Sequence, residues 1–306
     1  MAASYITYLP NHQIDYAKWD ACISNAPNSL IYGYAYYLTH MAKNWDGLIL
    51  NDYEAVMPLI WNRKMGIRYC YQPPFMQQAG WFGNLSSILA KQLLEKITAF
   101  TKYGDWMFNY GNLELVDWKD SNILTNYILK LDSDYLNLQE NYKTDLLNNL
   151  KTAAKSNLQY TSSKDIDVAI QNYRAHYGNR MPHVKEDHYK NFSNLCHQLE
   201  STGLCIIREV KDEKGNLVSS ALLLKDSNRI YNMVNTNTEK GRRLSANHYL
   251  YDCIIKEFAG SNLIFDFEGS DLPGVKSFYE NFGPVNQPYF YWHYNNLPFP
   301  LKLLKK

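Results

Sequence analysis

The chain has 306 residues, about twice a common domain length, so two domains or one large one is expected, with a core that needs no disulfide or metal. Hydrophobic residues make up 46% and charged residues 20%, which excludes a disordered polypeptide. Lys plus Arg (31) balance Asp plus Glu (30), for a formal net charge of +1; this excludes coating nucleic acid through bulk charge, so any RNA contact must be local.

No stretch supplies the roughly 18 successive apolar residues of a spanning helix, and Met1–Pro10 lacks the basic-then-apolar order of a secretory signal. Five scattered cysteines (Cys22, Cys70, Cys196, Cys205, Cys253) form no CxxC pair, so a reduced, cytoplasmic protein without structural zinc is expected. The 26 tyrosines favour strands and polar-rimmed clefts.

In chain order, residues 47–61 read as a hairpin: Gly47–Leu50, a turn at Asn51-Asp52, then Ala55–Trp61. A strand at Ile67–Tyr71 follows, then an aromatic, glycine-broken loop containing Trp81. A helix carries Ile88, Leu89, Leu93, Ile97 and Phe100 behind the capping candidates Ser86-Ser87, and a strand follows at Asp105–Tyr110. Asn141–Leu158, Ile166–Tyr177 and Asp187–Leu199 read as helices.

The first order of elements then recurs. Leu204–Ile207 and Leu217–Leu224 form a hairpin, Arg229–Val234 a strand, Ala246–Phe258 a helix opening near Ser245, and Asn262–Phe267 a strand. Hairpin, strand, helix, strand, twice over, predicts two related α+β halves. Val275–Phe282 reads as a last amphipathic helix stopped by Gly283.

Two segments come closest to chemistry. In Leu263–Ser270, alternation puts Asp266 and Glu268 on one face and Phe265 and Phe267 on the other. Paired carboxylates at a strand end either bind an amine and take its proton, or cap the following turn and face water. Asn235–Asn247 is polar, follows a strand and opens a helix. With Arg242 and Arg243 it either holds a phosphate at the helix start or is an ordinary solvated loop. His183, Glu186 and His188 fit neither zinc-protease spacing, so no metal is expected there. The loop around Trp81 either lines a cleft between the halves or packs in the core.

The run from Asp266 (DFEGSDLPGVKSFYENFG) resembles the closing motif of the Fem-type peptidyltransferases and their acyltransferase relatives of GNAT fold. It matches at Asp266, Phe267, Gly269, Gly274, Val275, Phe278, Phe282 and Gly283. Asn141–Leu158 is similar to the basic helix that opens that family's second half. The resemblance implies an α+β fold of two tandem GNAT-like halves, mixed sheets flanked by helices: residues 1–140, and residues 141–306 carrying the donor site. A tail, residues 295–306, either returns to the first half or frays.

The resemblance further implies acyl transfer to an amine. Asp266 or Glu268 would orient the amine or accept its proton, and Tyr279 would serve the leaving group. Val234, Asn235, Gly241, Arg242, Arg243, Ser245, Ala246 and Asn247 would bind the donor, and Trp81, Phe278 and Phe282 would line the cleft. Where the family has Lys, this chain has Tyr279, and Gly241–Ala246 keeps only the final small residue of the acetyl-CoA phosphate loop. An acyl-CoA donor is the first expectation, with no tightly bound cofactor. Aminoacyl-tRNA is the alternative donor, with Lys143, Lys151, Lys155, Arg242 and Arg243 as local phosphate contacts. A non-catalytic binding protein of the same fold is a third reading. The acceptor would be a small-molecule amine, such as an amino sugar, or a cell-wall precursor, a lipid-linked amine or a protein.

Overall fold

In the computed structural model, which describes residues 5–115, 121–269 and 272–304, contacts separate the chain into two units: residues 1–124 with 288–306, and residues 125–287. Unit 1 opens with β1 (Ile6–Leu9), α1 (Tyr16–Asn25) and α2 (Ala35–Met41). Asp15 caps α1 by accepting from the Ala17 and Lys18 amides. The expected hairpin follows as β2 (Trp45–Leu50) and β3 (Ala55–Lys64), then β4 (Ile67–Cys70), α3 (Ser87–Phe100) and β5 (Tyr103–Phe108). Ser86 caps α3 through its hydroxyl, and the helix buries Ala90, Leu93 and Ile97, one stripe at helical spacing. β6 (Ser121–Leu124) ends this stretch of the unit.

Unit 2 begins with β7 (Tyr127–Lys130), α4 (Tyr135–Gln139), α5 (Thr144–Ala154), β8 (Gln159–Ser163), α6 (Ile166–Tyr177) and α7 (Glu186–Glu200). The recurring order then runs β9 (Cys205–Lys211), β10 (Leu217–Lys225), β11 (Arg229–Asn237), α8 (Glu239–Arg243), α9 (Ala246–Phe258) and β12 (Ile264–Asp266). It closes with α10 (Pro273–Glu280) and β13 (Val285–Asn286), after which β14 (Tyr289–Asn295) belongs to unit 1.

Each unit holds one seven-stranded mixed sheet: β1-β2-β3-β4-β5-β14-β6 in unit 1, and β13-β7-β12-β11-β10-β9-β8 in unit 2. The units divide at residues 124/125 rather than 140/141, because β7 pairs antiparallel with β12 and β13 across a large sequence separation. The helix expected over Asn141–Leu158 is shorter: α5 starts only at Thr144, and its C-terminal turn is followed by Asn157 at φ +47°.

In both units the strand after the hairpin (β4, β11) runs parallel to the strand after the helix (β5, β12), so the repeated order is repeated topology. β10 is buried along nearly its whole length, which explains why Leu222-Leu223-Leu224 is a continuous apolar run rather than an alternating one. Unit 2 packs Val210, Leu223, Ile230, Leu250, Ile254 and Phe265 into its core; unit 1 does the same with Leu48, Met57, Leu93, Ile97, Phe108 and Trp292. Among the described residues, no helix is long and apolar enough to cross a membrane.

Candidate active site

The site in unit 2 arises where two strands part. β11 pairs with β12 only from Arg229↔Ile264 to Tyr231↔Asp266, and β12 ends there while β11 runs on through Asn232–Asn237. At that point β11 carries a bulge. Leu223 pairs with Asn232 and Leu222 with Val234, so Met233 is the extra residue. An extra residue flips the two-residue alternation, which brings Asn232, Asn235 and Asn237 together onto one cavity of about 560 Å³. Tyr173, Tyr177, Arg180 and Met181 line it from the end of α6 and the turn beyond. Arg242 and Asn247 line it from α8 and α9, and Glu268, Val275, Phe278 and Tyr279 from the closing motif.

The two carboxylates of that motif part company. Asp266 is fully buried, its Oδ2 2.5 Å from Arg229 Nη1, while its Oδ1 accepts from the Glu268 amide at 2.9 Å. Arg229 also donates to Gln287, and Asn126 donates to Asp266. Glu268 sits at φ +59°, off the strand, and lines the cavity half-buried. The expected common face therefore does not form: Asp266 caps the turn inside an ion pair, and Glu268 alone reaches the cavity. Gly269 allows this turn because a Cβ there would lie 2.3 Å from the Thr125 carbonyl oxygen, and its N–H donates to Asn126 Oδ1. Ser270 lies outside the described residues.

Tyr279 is nearly buried against Phe267, with ring centroids 4.9 Å apart, and its hydroxyl is hydrogen-bonded to Tyr251. Burial pushes its phenol above the usual range and the negative charge of Glu268 adds to this, against the hydrogen bond from Tyr251. Phe278 lines the cavity as expected, whereas Phe282 is fully buried in the ring cluster with Tyr142 and Tyr251. Trp81 is likewise fully buried, in the core of unit 1, its indole N–H donating to Asn84.

The residues expected to hold the donor also separate. Asn235, Arg242 and Asn247 line the cavity, with Asn235 and Asn247 exchanging side-chain hydrogen bonds of 2.8 and 3.1 Å. Val234 and Ala246 face the core instead. Gly241 presses on β10, where a Cβ would come 2.2 Å from the Val218 carbonyl oxygen. Ser245 takes a left-handed conformation between α8 and α9 and donates to Asn149, and exposed Arg243 pairs with Glu239 at 2.9 Å. Glu186 pairs with Arg174 and His188 accepts from the Lys185 amide, so the His183–His188 segment serves a helix start.

Sequence reasoning missed Tyr173, Tyr177, Arg180, Met181, Asn232 and Asn237. The available signal was three asparagines on a strand whose neighbours are apolar, since buried amides need partners or a ligand.

His248, on α9, stacks edge-on against Phe278 with centroids 4.8 Å apart. Burial lowers it to about 4 despite the opposing pull of Asp145. The folded-state value lies below the ordinary 6.5, so its contribution to stability is complete above pH 6.5 and is lost as pH falls toward 4. Urea denaturation of His248→Phe and the parent should give a stability difference that is flat above pH 6.5. Below it the parent should lose ground by up to ~1.4 kcal/mol per pH unit. A difference independent of pH from 7.5 to 4.5 would contradict this burial.

Residues 142–274 match the family described as acetyltransferase (GNAT) domain. Within unit 2, residues 142–274 are therefore a GNAT-type acetyltransferase domain. The fold of the chain is similar to the crystal structure of FemX, with a TM-score of 0.68 at 13% identity, covering 98% of this chain and 99% of that one. It is also similar to a conserved protein of unknown function from Bacteroides thetaiotaomicron (0.62, 11%, covering 93% and 99%). L-PGS from Bacillus licheniformis is a third (0.53, 12%, covering 95% of each chain). A comparison by sequence with curated proteins found no match.

Proposed function

We propose that this chain transfers an acyl group from an acyl-CoA to an amine inside the unit 2 cavity. The observation that carries the reading is the parting of β11 and β12 beside Glu268, within the segment that matches the GNAT acetyltransferase family, with Tyr279 just beyond that segment on the same cavity. The first turn of α9 offers backbone N–H groups and the positive end of its dipole. Arg242 and Arg180 add two cations at the same cavity, a set that suits the donor's phosphates.

In this reading the neutral amine nitrogen attacks the thioester carbonyl carbon and gives a proton to Glu268 as the C–N bond forms. The C–S bond then breaks, and the departing thiolate takes the phenolic proton of Tyr279, which solvent later returns. Asp266 holds the turn that presents Glu268 and takes no proton.

Arg180→Glu with Arg242→Glu should weaken CoA and acetyl-CoA binding at least about tenfold in calorimetric titration, and should flatten its salt dependence. No acetyl-CoA binding by the parent at millimolar concentration would overturn this donor. Aminoacyl-tRNA would then become the leading reading: Lys151 lies exposed on α5 and Lys155 just past its end, neither lining the cavity, which leaves both to meet a larger phosphate backbone. Donor binding with no turnover on any amine would instead favour the non-catalytic reading.

A further inference from the structure

Two asparagines that line the cavity have a buried side-chain oxygen with no partner among the described residues: Asn237 Oδ1, which is turned against Gly241, and Asn232 Oδ1. Asn232 is only 5% exposed, and its Nδ2 donates to the Tyr251 hydroxyl at 2.6 Å. That hydroxyl is also hydrogen-bonded to Tyr279. Asn232 thus spends its Nδ2 on Tyr251, and Oδ1 is the end of the amide left without a partner. The neighbouring Asn235 and Asn247 satisfy one another, so the vacancy belongs to Asn232 alone among these three amides. A buried oxygen left this way costs stability unless a ligand brings it a donor.

We propose that Asn232 Oδ1 accepts an N–H from the acyl acceptor and thereby restricts acceptors to primary amines. The inference rests on the acyl-transfer reading above. A neutral primary amine carries two hydrogens. One goes to Glu268 as the C–N bond forms and the C–S bond breaks. The other stays on nitrogen, bonded to Asn232 Oδ1, and remains there in the amide product. A secondary amine has a single hydrogen, which Glu268 must remove, so Asn232 is left unpaired in the transition state. An alcohol fails in the same way. Sites built around a buried polar group discriminate strongly against analogues that leave it unmatched.

The test pairs primary amines with their N-methyl analogues, tyramine with N-methyltyramine and glucosamine with its N-methyl derivative among them, using acetyl-CoA as donor. The parent protein should prefer the primary member by roughly 10- to 100-fold in kcat/KM. In Asn232→Leu the preference should fall close to unity, whatever happens to the absolute rate. Asn232→Ser, which keeps a small acceptor, should retain part of it. The ratio is internal to each variant, and matching thermal melts confirm that each is folded. Equal use of both members by the parent overturns the inference, as does a preference that survives in Asn232→Leu. Absence of turnover with every amine overturns the acyl-CoA reading itself and the inference with it, a result distinct from turnover without preference.

Discussion

Arg229→Ala should cost unit 2 about 3–5 kcal/mol, among the largest effects expected of a single substitution here, because it leaves the Asp266 carboxylate charged, buried and unpaired. At about 2–4 °C per kcal/mol for a unit of this size, the melting temperature should fall by roughly 6–20 °C. Asp266→Asn should be costly for the mirror-image reason, since it leaves the Arg229 guanidinium buried without its counter-charge. Combining Arg229→Met with Asp266→Asn removes both charges and keeps the Oδ1 that accepts from the Glu268 amide. The double variant should therefore be more stable than Arg229→Met or Asp266→Asn alone, and a double-mutant cycle of these three with the parent in urea reads this directly. The same variants separate structure from chemistry. Well below its melting temperature, Asp266→Asn should keep kcat within about tenfold of the parent, whereas loss of a proton acceptor costs ~100-fold or more. A variant of unchanged stability that had lost its turnover would return Asp266 to the chemistry.

The parts of the fold legible in the sequence are those set by local rules. Asn51-Asp52 marks the first hairpin, Ser86 caps α3 as its position suggests, and α6 spans the expected Ile166–Tyr177. What stayed hidden depends on partners far away in the chain. β7 is a short apolar run until it pairs with β12 and β13. β14 is an unbroken aromatic run whose burial alternates, but its place between β5 and β6 is set by neighbours well over a hundred residues earlier.

The candidate site divides along the same line. Glu268, Tyr279, Phe278, Asn235, Arg242 and Asn247 were legible from the closing motif and the polar segment before α9, and all of them line the cavity. Asp266 was misplaced because alternation assumes a strand that continues, and this strand ends where Glu268 turns to φ +59°. Asn232 was missed because the bulge at Met233 reverses the parity that a sequence reader counts on. Tyr173 and Tyr177 share a face of α6, but only the fold brings that face to β11.

Tyr279→Phe carries the largest effect expected on turnover. The ring packing survives the change, because Phe267, Phe278 and Tyr251 surround the ring and a phenyl group fills the same space. If the hydroxyl protonates the departing thiolate, kcat with acetyl-CoA should fall by about 10²–10⁴ with KM little changed. Burial and the charge of Glu268 hold the phenol above its ordinary range, so it stays protonated and able to donate throughout neutral pH. No alkaline loss of activity should arise from Tyr279 below pH ~10. The leaving group supplies the sharper test. An aliphatic thiol has a pKa near 8.5, so its thiolate gains from a proton in the transition state, whereas an aromatic thiol leaves readily as the anion. Acetyl thioesters of progressively more acidic thiols should restore the Tyr279→Phe rate toward that of the parent, whose own rate should vary much less along the series. Equal loss with every leaving group would assign the hydroxyl to donor binding or packing, and full activity of the variant would remove it from the reaction. Graded rescue by the more acidic thiols is the expected outcome, because hydrogen bonding from Tyr251 favours the phenolate that forms at Tyr279 as the thiolate departs.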